Sequence, residues 1–223
     1  MPPSGDSVAM STRSYDERMV VTGLERVLSD TLEHHGFQRV RSFCWARSAA
    51  PLDHWIRFEA QRGSRIPVWC VYDPVASPIL WGEPAKRRGD TSHGVILWAS
   101  ERLRFADRQD PDIGRLIDAA NQAASQLGDL AERARLVAYL LEDSNFLAVP
   151  DEAGTAPYDF LMPNSALLRR FAAGLVAGAS GDADTATPLL REYFENAGGG
   201  RSMVIRNRRV GATELLARLN VDL

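Results

Sequence analysis

The sequence predicts an α+β fold: an N-terminal helix, an antiparallel sheet of four to five strands, a long or kinked helix packing on it, and a mostly helical C-terminal segment. Three observations predict it. Apolar residues recur at helical spacing near the start of the chain and again after residue 110. Between these stretches lie short runs rich in Val, Ile, Trp and Phe, punctuated by Gly, Pro and Ser. Beyond residue 165 helical spacing returns and dominates. Strands grouped together and followed by helices are the pattern of an α+β chain. The expected organisation is a disordered lead-in over 1–14, an α+β domain over 15–143, and a helical extension over 144–223 packed on that domain.

The first helix is expected over 15–35, because Val20, Leu24, Val27, Leu28 and Leu32 share one face and Gly36 supplies a left-handed stop. Phe37 then enters a strand, FQRVRSFCWARS, with Val40, Phe43 and Trp45 as its larger apolar groups. Ala49 to Leu52 is the turn into a hairpin, DHWIRFEAQRGSRIPVWCVYD (Asp53 to Asp73). A loop over 74–90 follows, with PILW in its middle, and then the apolar run HGVILWAS, which reads as a central strand covered on both sides. RLRFAD adds a short further strand.

Asp110-Pro111 opens the next helix with an N-cap residue and a Pro at the first helical position. Ile113, Leu116, Ile117, Ala120, Ala124 and Leu127 form its stripe, and Leu130, Ala134, Val137, Leu140 and Leu141 form a second. Gly128-Asp129 between them is either a kink or a break recapped by Asp129. DEAGTAP is a linker. Asn164 is expected to cap a helix through Val176, Thr187-Pro188 to start a short one ending at Asn196, SMVIRNRRV to form a strand, and Thr213 to cap a last helix.

The hairpin raises the main question. With Gly63-Ser64 as a two-residue turn, Ile56, Phe58 and Ala60 share a fully apolar side with Pro67, Trp69 and Val71. The other side carries Trp55, Arg57, Glu59 and Gln61 beside Ile66, Val68, Cys70 and Tyr72, and it is half apolar. A three-residue loop would flip one strand against the other. Water is a poor neighbour for such a face, so the rest of the chain, a partner protein or a small molecule must cover it. The favoured cover is the C-terminal segment, whose own apolar stripes must be buried somewhere.

The stretch LSDTLEHHGFQRVRSFCWAR resembles the opening of the uncharacterised bacterial family called domain of unknown function 4304, which begins with a helix ending in Gly-Phe and a strand with spaced aromatics. Leu28, Leu32, Gly36, Phe37, Phe43 and Trp45 are the matching positions, and the resemblance extends over residues 20–142. It implies a fold class and brings no catalytic residues.

Composition excludes several classes. The net charge is −3 over 223 residues, which argues against a nucleic-acid or membrane-surface binder. No secretory signal is visible, and the longest apolar stretch, Phe171 to Ala179, is far short of the roughly 20 residues needed to cross a bilayer. Cys44 and Cys70 are expected as unpaired thiols in a cytoplasmic protein. His34, His35, His54 and His93 lack zinc-ligand spacing with these cysteines, so no metal and no cofactor is expected. Cys70 sits in VWCVY, a sheet interior that disfavours a reactive thiol. NAGGGRSMVIRNRR lacks both the Walker lysine and the strand–loop–helix order of a phosphate loop, and its arginines read as a solvated edge.

The expected function is that of a non-catalytic binding or interaction protein of accessory or immunity type. Trp55, Arg57, Glu59 and Tyr72 are the candidate ligand- or partner-binding residues, since interfaces favour such side chains. The alternative is an enzyme or small-ligand binder with a site between the sheet and the C-terminal helices. The sequence identifies neither the partner nor the oligomeric state.

Overall fold

The computed structural model describes residues 23–61, 64–100, 105–106, 113–146, 160–197 and 202–223. The expected lead-in, the Asp110-Pro111 helix start, the DEAGTAP linker and the GGGR loop lie outside the described residues. Helix α1 is described over 23–33, the expected part over 15–22 lying outside the described residues, and it ends at Gly36, whose φ of 78° is the left-handed stop the sequence predicts. The strands β1 (Gln38–Arg41), β2 (Cys44–Ala49), β3 (Leu52–Gln61), β4 (Ser64–Tyr72), β5 (Ile96–Ala99) and β7 (Phe160–Met162) lie in that order in one antiparallel sheet, and the short β6 (Phe105–Ala106) pairs with the start of β4. The helices are α2 (Ala76–Trp81), α3 (Ile113–Asp129), α4 (Arg133–Leu141), α5 (Ala166–Ala179), α6 (Ala183–Asn196) and α7 (Met203–Ala217). The sheet is therefore larger than the four to five strands expected, because one expected strand divides and the C-terminal part supplies β7.

The division occurs at Ser42-Phe43. Phe43 adopts φ 51°, an unusual state for a bulky residue. Buried Glu25 holds it there: its carboxylate accepts hydrogen bonds from the Phe43 N–H (2.6 Å), the Ser42 hydroxyl (2.7 Å) and Arg39 (2.9 Å). The hairpin register differs from the expected one by a whole pleat: Gln61 pairs with Ser64 and Ile56 with Trp69. A two-residue slip preserves side-chain alternation, so both hairpin faces have the expected composition.

One face carries a cross-strand row, Trp45–Ile56–Trp69–Trp98–Leu161. The helices bury it. Trp45 donates to Ser29 of α1 and Trp69 to Gln126 of α3, while Trp98 meets Tyr139 of α4 edge-on at 6.0 Å. Helix α3 approaches through Leu116, Ala119, Ala120, Ala123, Ala124 and Leu127 and leaves Ile113 exposed, so its buried stripe is built from smaller groups than expected. A single apolar cluster runs from Leu24 to Leu216. Helix α5 lies inside it, with every residue from Phe171 to Gly178 buried; a helix apolar on all sides belongs in such a place. Gly174 and Gly178 let it approach α6 and α7, because a Cβ there would sit 3.0 Å from Leu189 and 2.9 Å from Leu215.

Several boundaries move for identifiable reasons. PILW forms α2 because the Asp73 carboxylate accepts from the N–H groups of Val75 (2.8 Å) and Ala76 (3.1 Å). The α3–α4 junction is a break, with Glu132 rather than Asp129 at the next N-cap position. Ser165 and Asp182 cap α5 and α6 in place of Asn164 and Thr187, and Pro188 lies inside α6. SMVIRNRRV is helical, not a strand: Ala212, Leu215 and Leu216 anchor α7 while Arg208 bonds the Leu80 carbonyl (2.7 Å) and the Tyr193 hydroxyl (2.6 Å). Among the described residues no helix is long and apolar enough to cross a membrane.

Candidate functional site

Trp55, Arg57, Glu59 and Tyr72 share the sheet face opposite the helices, yet they do not form one site. Trp55 is 2% exposed and stacks on Tyr72, ring centroids 4.3 Å apart. With Ala46 and Cys70 it forms a second small core, flanked by Val40, Ala85 and Leu97. Arg57 and Glu59 form an ion pair at 3.2 Å, each more than a third exposed. The expected C-terminal cover is corrected here: α5, α6 and α7 pack within the core on the other face, and the strap over 82–94 lies on Trp55. Arg41 donates to the Gly89 carbonyl (2.6 Å), and Cys44 Sγ contacts the same oxygen (3.5 Å). Gly89 and Gly94 fit because a Cβ would meet Cys44 Sγ at 2.4 Å and Cys70 Cβ at 2.6 Å. Burial pushes the Tyr72 phenol up, against a hydrogen bond with the Ala85 backbone.

The two thiols are free and buried. They sit on β2 and β4, on either side of β3, which puts their backbones about 10 Å apart and beyond disulfide reach. Burial pushes both thiols up, which disfavours the reactive thiolate.

The strap carries the densest polar cluster. Ser92 Oγ donates to Asp90 Oδ1 (2.8 Å) and lies 3.1 Å from His93 Nδ1, while His93 Nε2 is 3.6 Å from Glu83 Oε1. Burial would raise the Asp90 pKa, but Ser92, His93 and Arg41 outweigh it and hold the carboxyl below its ordinary value. With the Ser92 proton already engaged by Asp90, the arrangement closes a 3₁₀ turn at Thr91–His93 and does not resemble an activated nucleophile. Among the described residues no group of three or more His, Cys, Asp or Glu is placed to hold a metal.

A surface that the sequence reading missed lies on α7. Among the described residues five large hydrophobic side chains are exposed, and three of them are on this helix: Met203 (68%), Val210 (58%) and Val204 (43%). Met203, Arg206, Val210 and Ala217 point away from the buried side marked by Ala212, Leu215 and Leu216. Residues 203–218 hold four arginines against one glutamate, in a chain of net charge −3. Beside this line Arg191, Phe194, Glu195, Arg209 and Leu223 border a cavity of about 260 Å³. The Arg209 guanidinium lies 4.8 Å above the Phe194 ring. The signal was present in the sequence, since Ile205, Arg208, Ala212 and Leu215 recur at helical spacing; the β-branched Val204, Ile205 and Val210 masked it.

Comparison with known protein families, curated proteins and solved structures finds no match to this chain.

Proposed function

We propose that this chain is a non-catalytic binding protein, of accessory or immunity type, that acts by presenting the α7 surface to another protein. The observation that carries the reading is the exposed line Met203–Val210 with Arg206 and Arg209 beside it, on a helix anchored by only three buried side chains. Met and Arg are both enriched at interfaces. The space between the sheet and the C-terminal helices, where a small-ligand site was the alternative, holds packed side chains such as Trp98, Phe171 and Leu175. Two buried thiols without a disulfide support a reducing, cytoplasmic setting, and a bacterial source rests on the family resemblance alone. The resemblance of residues 20–142 to domain of unknown function 4304 stands as part of the same proposal, supported by the α1 stop at Gly36 and the burial of Phe37, Phe43 and Trp45.

Site-specific photocrosslinking tests the reading. With p-benzoylphenylalanine placed at Met203 or Val210 in the full chain, one discrete adduct with an identifiable second protein is expected. The same probe at Ser125, exposed on α3, serves as control. Adducts from α7 no more abundant than those from Ser125 would overturn the proposal.

A further inference from the structure

We infer that the partner segment is an acidic amphipathic helix, laid along the outer face of α7 with a carboxylate entering the cavity between α6 and α7. The inference rests on the proposed binding function and adds the chemistry of the occupant. Met203, Arg206, Val210 and Ala217 follow one another at intervals of three, four and seven residues on the solvent side of α7, the spacing at which a second helix makes its contacts. The apolar members of this line need apolar partners.

The charges around the line select the sign of the occupant. Arg206 is exposed and makes no ion pair among the described residues. Arg209 and Arg191 flank the α6–α7 cavity, with Arg191 donating to the Asp222 carbonyl at 2.8 Å and Arg209 held over Phe194. Glu195 is the one acidic side chain lining that cavity. Glu214, between Val210 and Ala217 on the same face, is the one acidic side chain on α7, against Arg206, Arg209 and Arg218 among the exposed residues of 203–218. The Arg209 guanidinium over the Phe194 ring keeps N–H groups for a carboxylate, and Arg191 adds a second positive charge at the same cavity. Outside residues 203–218 the chain is more acidic than its total suggests, so a second acidic protein would be repelled elsewhere and drawn to this helix.

A displayed library of random 14-residue peptides, selected on the intact protein and counter-selected on Arg206→Glu/Arg209→Glu, tests the inference. Circular dichroism and thermal melting show first that the variant folds. The expected outcome is enrichment of peptides with net negative charge and apolar residues three or four apart. Synthetic copies should bind at least tenfold more weakly to that variant and to Met203→Asp, and more weakly as salt rises. Enriched peptides that are neutral or basic, equal binding to the variants, or no enrichment would each overturn it. So would sedimentation of the protein with phosphatidylglycerol vesicles in place of peptide binding, or a photocrosslinked adduct of twice the chain's own mass. A heteromeric adduct from Met203 together with failed acidic selection would sink the partner chemistry alone and leave the binding function standing.

Discussion

Arg133 of α4 grips Asp73, at the end of β4, through two hydrogen bonds: Nε to Oδ2 at 2.7 Å and Nη2 to Oδ1 at 3.0 Å. Asp73 is fully buried, and its carboxylate also caps α2. The remaining Arg133 nitrogen, Nη1, donates to the Ala179 carbonyl at the end of α5 (2.7 Å). One ion pair thus joins the sheet, α2, α4 and the first C-terminal helix. Removing one partner strands the other charge, which costs far more than the pair itself contributes. Asp73→Asn and Arg133→Leu should each lower unfolding free energy by about 3–5 kcal/mol in urea titrations. The double variant should cost clearly less than the sum, since the two side chains act as one unit.

The sheet face opposite the helices gives a second prediction, because its four singled-out residues divide in two. Trp55 is enclosed by the strap, so Trp55→Ala should cost about 3–5 kcal/mol. The Arg57–Glu59 pair is open to water, and either alanine substitution should change stability by less than about 1 kcal/mol. Equal costs at Trp55 and Arg57 in urea unfolding would contradict this division.

These two sites show what could be read from the chain alone. Period-two alternation made the hairpin faces legible, and it survived a register error because the slip was two residues. It could not say which part of the chain lay on each face, since a strap anchored by glycine contacts to Cys44 and Cys70 carries no apolar stripe to announce itself. The split at Phe43 depends on Glu25, eighteen positions earlier, and the start of α2 on Asp73, which precedes a stretch that reads as a loop. In α7 local propensity and helical spacing disagreed, and packing of Leu215, Leu216 and Arg208 against α2, α5 and α6 decided the outcome. The surface proposed to meet a partner was hidden by that error.

His54 gives a pH dependence with a definite sign. It is fully buried; its Nδ1 accepts from Arg47 Nη2 at 2.9 Å, which fixes the proton of the neutral ring on Nε2. Burial and then the Arg47 charge lower its pKa to about 4, with the Leu130 backbone and Asp53 opposing only in part. In the unfolded chain the ring titrates near 6.5. Between these values the unfolded state takes up a proton that the folded state refuses. The contribution is therefore complete above about pH 6.5 and is lost as pH falls towards 4, a swing of about 3 kcal/mol. His54→Gln keeps an acceptor for Arg47 and removes the titration. The difference in urea-unfolding free energy between wild type and variant should shift in the variant's favour by that amount from pH 7 to pH 4.

Gly89 tests how the strap is held. Its φ of 81° belongs to glycine, and an added Cβ would lie 2.4 Å from Cys44 Sγ and 3.3 Å from Val40. Neither neighbour can retreat, since Cys44 is fully buried on β2 and Val40 packs beside it. Gly89→Ala must therefore move the strap, breaking the Arg41 hydrogen bond to the Gly89 carbonyl and uncovering the thiols. Gly181→Ala is the control: its φ is 87°, so the backbone strain is similar, but no atom lies within 4 Å of the new Cβ and the site is on the α5–α6 turn. Both should lose about 1–3 kcal/mol of stability. Only Gly89→Ala should speed labelling of Cys44 and Cys70 by a disulfide reagent, by about tenfold or more, at a denaturant concentration where less than a tenth of either variant is unfolded. Equal labelling rates in the two variants would show that the thiols are reached by global unfolding and that the strap does not open separately.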